Sequence, residues 1–330
     1  MMNSSESRVE SGQSRSEDGH LPLATRHLRL GLGPLLYYWS REDTLAFYEA
    51  ALSWPVDIVY LGETVCSRRH LLRLPDWLEL AEKFTAAGKQ AVLSSQTLIE
   101  SESDLKALRK VVADGRFLVE ANEWGAVRLL AQAGRAFVAG PTLNAYNPDT
   151  LALLADMGAV RWVPPVEMPR DMLKTMPVPD GMETELFAYG RLPLAFSARC
   201  FTARHHNLQK DDCQFRCIDH PDGLVLASRE GEDFLCINGI QTQSAKVMSL
   251  AHRLDELKAA KVDVLRLSPQ SHHTDRIVNL FRALLDGSLA PADAPAKLAP
   301  FLPAQPCDGY WLGEAGMAYQ PERHLEELAS

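Results

Sequence analysis

From about residue 31 onward, short runs of β-branched and apolar residues alternate with longer segments whose apolar positions recur at helical spacing. Repeated βα units are the natural reading of that alternation, and they confine the chain to α/β architectures built on a parallel sheet. The strand-like runs are LGPLLYY (32–38), DIVYLG (57–62), KQAVLSS (89–95), RFLVEA (116–121) and RAFVAG (135–140). They continue with VRWVPP (160–165), ETELFAY (183–189), DFLCING (233–239) and DVLRLSP (263–269). Between them, Trp77, Leu80, Ala81 and Phe84 fall on one helical face, as do Ile277, Leu280, Phe281 and Leu284. Eight or nine strands with short connections suit a closed barrel better than an open doubly wound sheet. No Gly-x-Gly-x-x-Gly fingerprint follows any strand run, and GLGP at 31–34 is too short a match. The expected fold is a TIM-like (β/α) barrel with a cysteine-bearing loop insertion and an extended C-terminal tail.

Three regions are expected. Residues 1–26 are polar and rich in Ser, Glu and Arg, lack the apolar core of a secretory signal, and read as a disordered tail. Residues 27–287 form the barrel. Residues 288–330 begin with LAPADAPAKLAPFLPAQP, an extended connector, and end in a tail that packs back through Tyr310 and Trp311. With 46% hydrophobic residues and no apolar run of membrane-spanning length, the expectation is a soluble, cytoplasmic protein. Its formal charge of −9 argues against a chain whose main task is gripping nucleic-acid phosphates.

The alternation breaks once, between Tyr189 and Asp233, over roughly forty residues, and a gap of that length is usually functional or disordered. It contains SARCFTARHHNLQKDDCQFRCID, which packs Cys200, Cys213 and Cys217 among charged residues and histidines. In a reducing compartment such thiols are more plausibly metal ligands than disulfides. Cys66 is the fourth candidate, because it follows a strand just as the Cys200 segment does, and strand ends of a β/α barrel share one face. Arg68, Arg69, Arg199, Arg204 and Arg216 would offset the negative charge of clustered thiolates. The pattern favours an iron-sulfur centre, while a four-cysteine zinc site remains open on spacing alone. Cys236, within FLCINGI, reads as core packing.

The segments LGPLLYYW, DIVYLGETVCSRR, DWLELAEKF, GKQAVLSS, FLVEAN, FVAGPTLNAYN, VRWVPPVEMPRD, YGRLPLAFSARCFTAR, INGIQTQS, VDVLRLSPQ and CDGYW together carry a resemblance. Through them the chain resembles the collagenase-like peptidase family, and within it the members that serve oxygen-independent ubiquinone biosynthesis. That resemblance implies a 4Fe-4S cluster on Cys66, Cys200, Cys213 and Cys217. It also implies a heterodimer with a UbiU-like protein, the pair supporting hydroxylation of the ubiquinone ring precursor without molecular oxygen, with prephenate as a possible oxygen source. Pro193 stands where relatives place a ligand, a loss that Cys66 makes good. Cys307, in the family-like CDGYW, is the rival fourth ligand. The alternatives are an RNA-base hydroxylation protein of the same family and a zinc-stabilised binding protein.

Glu63, Glu120, Glu167, Asn144 and Asn238 lie at or just past strand ends, where β/α-barrel enzymes carry their chemistry and where loop capping is an equal alternative. The pairs His205-His206 and His272-His273 read as solvated loop residues. No Gly-x-Ser-x-Gly elbow and no His-Glu-x-x-His helix is present, so no hydrolase motif supports peptidase activity, and the catalytic residues are unassigned.

Overall fold

The computed structural model describes residues 27–321, so the expected disordered tail, residues 1–26, lies outside the described residues. The strands are β1 (Arg29–Leu32), β2 (Ile58–Leu61), β3 (Gln90–Ser94), β4 (Leu118–Ala121), β5 (Phe137–Ala139) and β6 (Ala159–Trp162). They continue as β7 (Glu183–Phe196), β8 (Leu224–Ala227), β9 (Asp233–Asn238), β10 (Gln241–Ser249), β11 (Val264–Leu267) and β12 (Pro306–Cys307). The helices are α1 (Arg41–Ala51), α2 (Leu74–Ala86), α3 (Glu102–Asp114), α4 (Trp124–Gln132) and α5 (Pro148–Asp156). After them come α6 (Arg170–Thr175), α7 (Phe201–His205), α8 (Leu254–Ala259), α9 (Thr274–Leu285) and α10 (Ala294–Leu298).

β1 to β7 pair in parallel, each with the next, and β11 closes the ring by pairing in parallel with both β7 and β1. The fold is a closed eight-stranded TIM-like barrel. Side-chain alternation divides each strand: Ile58 and Tyr60 of β2 point into an inner cluster with Val92, Val138, Val163 and Val264, while Val59 and Leu61 join the shell under the helices. Trp77, Leu80, Ala81 and Phe84 of α2 are all buried, as the spacing predicts, and on α9 Ile277, Phe281 and Leu284 are buried with Leu280 half-buried. The side chains of Ser40, Ser101, Glu123 and Asn147 accept backbone N–H groups at the starts of α1, α3, α4 and α5.

Four expectations about elements are corrected. The first strand is Arg29–Leu32, not 32–38: Pro34 has no N–H for a ladder, and Leu35–Trp39 run on as buried loop. β7 does not stop at Tyr189 but continues out of the barrel's C-terminal end to Phe196, where it pairs antiparallel with β10. The expected barrel strand 233–239 is β9, which instead pairs antiparallel with β10 and β8 in a small wing outside the barrel, and β8 and β10 arise where the sequence offers no strand. The Pro- and Ala-rich segment is not extended; it forms turns at Pro291–Asp293 and Ala299–Phe301 around α10, with prolines at first-turn positions where a missing N–H is tolerated. Beyond it β12 pairs with β10, Trp311 is buried, and its indole N–H donates to Glu256 at 2.8 Å. Asp308 accepts from Arg253 at 3.0 Å and sits 3.1 Å from His252, all three buried. Among the described residues no helix is long and apolar enough to cross a membrane.

Candidate functional site

The loop after β2 turns sharply at Gly62 (φ 135°), where a Cβ would stand 2.6 Å from the Ser94 carbonyl oxygen; only glycine lets the two strand ends approach this closely. The Glu63 carboxylate then accepts the Val65 and Cys66 N–H groups at 2.9 and 3.0 Å and fixes the loop that presents Cys66. Burial raises the Glu63 pKa, with Arg69 and these two N–H donors opposing it. Glu63 is thus a loop-organising residue.

Arg69 is buried and central to the face. It donates to the Leu36 carbonyl at 3.0 Å and to Asn238 Oδ1 at 2.6 Å, and lies 3.7 Å from Glu63. It thereby ties the loop after β1, the loop after β2 and the wing together. Asn238, expected as a strand-end candidate, serves that tie and also donates to Leu36 and Gln241. The turn between β9 and β10 passes so close that a Cβ on Gly239 (φ 66°) would meet Arg69 Nη2 at 2.9 Å.

Three of the four expected ligand cysteines gather on this face. Cys66 and Cys200 pack in one cluster with Leu36, Val65 and Ile240. Arg69 acts electrostatically on both Cys66 and Cys217, and so does Cys200. Burial pushes the Cys66 thiol up to about 11 and raises Cys217 as well, in both cases against the pull of Arg69. Cys200 begins α7 and its sulfur accepts the Ala203 N–H at 3.4 Å; α7 is pinned to the wing by Phe201 N–H donating to Gly239 at 3.0 Å. Cys213 is half-buried at the end of the Lys210–Asp212 turn, outside that packed set. The next two residues, Gln214 (φ 50°) and Phe215 (φ 53°), both take the left-handed conformation, an uncommon strain that reverses the chain between Cys213 and Cys217. Phe215 anchors the turn against Tyr38 and His70, and Arg68 holds it through the Asp211 carbonyl at 2.6 Å. Among the described residues no three His, Cys, Asp or Glu side chains stand in a ready metal-binding arrangement. Ligation by all four thiols would require the Cys213–Cys217 turn to close on the Cys66–Cys200 pair.

Cys307 packs in the main core cluster, apart from the Cys66 cluster, and burial pushes it up to about 12. Cys236 is fully buried, its thiol donating to the Asp222 carbonyl at 3.4 Å. Glu167 is exposed and accepts from the Tyr146 hydroxyl, and Asn144 is an exposed left-handed loop residue. His206 stacks on His220 with ring centres 5.8 Å apart, and burial followed by the His206 charge lowers the His220 pKa. His205, His272 and His273 are exposed.

Sequence reasoning missed the polar centre of the barrel, of which it singled out only Glu120. Arg266 donates to Glu120 at 2.6 Å and to Glu185 at 2.7 Å and lies over the Tyr60 ring, 4.1 Å from its centre. Arg161 donates to the Tyr60 hydroxyl at 3.0 Å and pairs with Glu183 at 2.7 Å; Tyr60 in turn donates to Glu185. The available signal was a charged residue set between apolar neighbours in each of four strand runs: FLVEA, VRWV, ETELF and VLRLS. Such residues have to find partners inside a barrel.

The chain is similar in structure, at low identity, to a tryptophan synthase from M. tuberculosis (13% identity, TM-score 0.41, covering 79% of this chain and 90% of that one). It is also similar to the spore cortex-lytic enzyme SleL of Bacillus megaterium QM B1551 (11%, 0.40, 78% and 74%). A third similar structure is the 7,8-dihydropteroate synthase of Vibrio fischeri ES114 (12%, 0.36, 79% and 93%). In sequence, the model of peptidase family U32 matches residues 43–313, a span that takes in the barrel from β2 onward, Cys66, the whole cysteine segment and Cys307. The protein belongs to peptidase family U32.

Proposed function

We propose that this chain is a UbiV-like protein: it holds a 4Fe-4S cluster on Cys66, Cys200, Cys213 and Cys217 and, with a UbiU-like partner, supports oxygen-independent hydroxylation of the ubiquinone ring precursor. The observation that carries the reading is the gathering of Cys66, Cys200 and Cys217 around buried Arg69, with Cys213 on an adjoining strained turn. The donor set fits in kind, since soft thiolates select iron-sulfur clusters, zinc or copper(I). Bound there, the cluster would supply electron transfer. The chain's own residues do the rest: Glu63 fixes the Cys66 loop, Arg69 offers positive charge beside the sulfurs, and Arg68 holds the Cys213 turn. Because burial keeps Cys66 and Cys217 protonated at neutral pH, ligation releases protons.

The test is anaerobic purification followed by iron, sulfide and zinc analysis. About four irons and four sulfides per chain are expected. Replacing Cys66, Cys200, Cys213 or Cys217 by Ala should remove most of the iron, whereas Cys236→Ala should keep it. Stoichiometric zinc with little iron would transfer the site to zinc, and loss of the cluster in Cys307→Ala but not Cys66→Ala would move the fourth ligand. Co-expression with a UbiU-like protein should give one complex on anaerobic size exclusion, and cells lacking this chain should lose anaerobic quinone synthesis. Separate elution with normal quinone levels removes partner and pathway together; co-elution with normal quinone levels turns attention to RNA-base hydroxylation.

A further inference from the structure

A cavity of about 40 Å³ lies in the C-terminal mouth of the barrel, beneath the arch that β7 makes as it leaves the sheet. Its lining combines apolar Leu36, Phe187 and Phe196 with polar Glu120, Thr64 and Arg266. Two of these polar groups are buried yet lack a hydrogen-bond partner among the described residues: Arg266 Nη2 and Thr64 Oγ1. Buried donors of this kind are nearly always satisfied, so a pair of them on one cavity marks a place built for an external oxygen.

Charge decides which oxygen. Arg266 already faces the carboxylates of Glu120 and Glu185, and Arg161 is matched by Glu183 and Glu185, so the barrel centre has no surplus positive charge. A carboxylate or phosphate entering beside Glu120 would meet repulsion without compensation, whereas a neutral oxygen needs only the free N–H and hydroxyl. Size decides how much of the ligand enters. A single water needs roughly 10–15 Å³ and a benzene-binding cavity has roughly 150 Å³, so this space takes a group of a few atoms and leaves any larger body at the mouth. We infer that the cavity seats the neutral oxygen-bearing end, carbonyl or hydroxyl, of a small organic ligand, gripped by Arg266 and Thr64. The inference does not depend on the cysteines binding a cluster, but the two sites are neighbours: Leu36 and Phe196 wall the cavity and also pack with Cys66 and Cys200.

Formamide and formate are matched probes, equal in heavy-atom count and opposite in charge state. In methyl NMR spectra of the full chain labelled at Leu and Thr, formamide should shift Leu36 and Thr64 saturably, and formate at equal concentration should not. Thr64→Val keeps the side-chain shape and removes the hydroxyl; it should weaken formamide binding about fivefold, the worth of one hydrogen bond, while unfolding at the wild-type denaturant midpoint. Formate binding as tightly as formamide would overturn the assignment to a neutral group. Absence of any saturable shift, the cavity holding water only, would overturn the site, and an unchanged affinity in Thr64→Val would remove Thr64 from it. None of these outcomes depends on the iron content of the protein.

Discussion

Two buried arginines hold the two sides of this molecule's upper face, and they are compensated in opposite ways. Arg266 rises from a barrel strand and meets two carboxylates, Glu120 and Glu185, at 2.6 and 2.7 Å, both also carried on strands. Arg69 comes from a loop; its direct acceptors are the Leu36 carbonyl and the Asn238 amide oxygen, the Cys217 thiol feels its charge, and its nearest carboxylate, Glu63, stands at 3.7 Å. Burying an ion is unfavourable unless opposite charge is brought with it. The barrel centre satisfies that condition within the chain. The cysteine face does so only in part, with Glu63 at 3.7 Å, and anionic sulfurs beside Arg69 would complete it.

The largest effect expected from this contrast is in the barrel. Arg266→Met leaves Glu120 and Glu185 without their cation and should lower stability by about 3–5 kcal/mol, read from urea unfolding of the metal-free protein. A loss under about 1 kcal/mol would mean the network is not the closed ion set described. Arg69→Met should be milder in the metal-free protein, about 1–3 kcal/mol, because its hydrogen-bond acceptors are neutral and the one carboxylate nearby, Glu63 at 3.7 Å, keeps the Val65 and Cys66 N–H groups. If the cysteines hold metal as proposed, its larger effect should be on metal retention, a 10–100-fold weaker affinity measured by competition with a chelator. Equal stability losses in the two variants would erase the distinction between the regions.

A smaller, graded effect comes from thiols outside both regions. Burial pushes Cys236 from 9.0 up to about 11 and Cys307 up to about 12. As pH rises from about 9 to 11 the unfolded chain releases these protons while the fold retains them, so the folded state binds more protons and stability falls with pH. The slope is about 1.4 kcal/mol per pH unit for each thiol, fully absent below the unfolded value. Unfolding midpoints at pH 8 and pH 10 should therefore diverge, and the Cys236→Ala, Cys307→Ala double variant should bring them closer. An unchanged difference in that variant would show that neither thiol is held protonated by the core.

The sequence made the barrel legible because a parallel strand buried on both faces has to be apolar along its length, and helices that cover it have to repeat at 3.6 residues. DIVYLG, KQAVLSS and the α2 and α9 faces carry those marks without ambiguity. The wing, apart from its strand β9, was illegible for the opposite reason. β10 begins Gln-Thr-Gln-Ser, residues that read as loop, yet Gln241 and Gln243 are fully buried beneath the extension of β7. Pro193 lies inside β7, where the pairing with Gln243 slips register, a place where a missing N–H is tolerated. Glu63 and Asn238 were visible as strand-end residues, but their roles were not, because both are fixed by Arg69, which the sequence offered only as one charge among several.

Local chemistry along the chain was enough to determine most of the barrel strands, which helical faces would be buried, and which cysteines were set among polar neighbours. Those properties depend on spacing and on the cost of burying polar groups, and both are written residue by residue. Only the tertiary structure decided that Cys66 meets Cys200, 134 positions away, that Arg69 would stand between thiols while Arg266 stood between carboxylates, and that an arch of β7 would cover a small polar cavity. Those pairings are set by closure of the barrel, which brings the ends of all eight strands to one face irrespective of their distance in sequence.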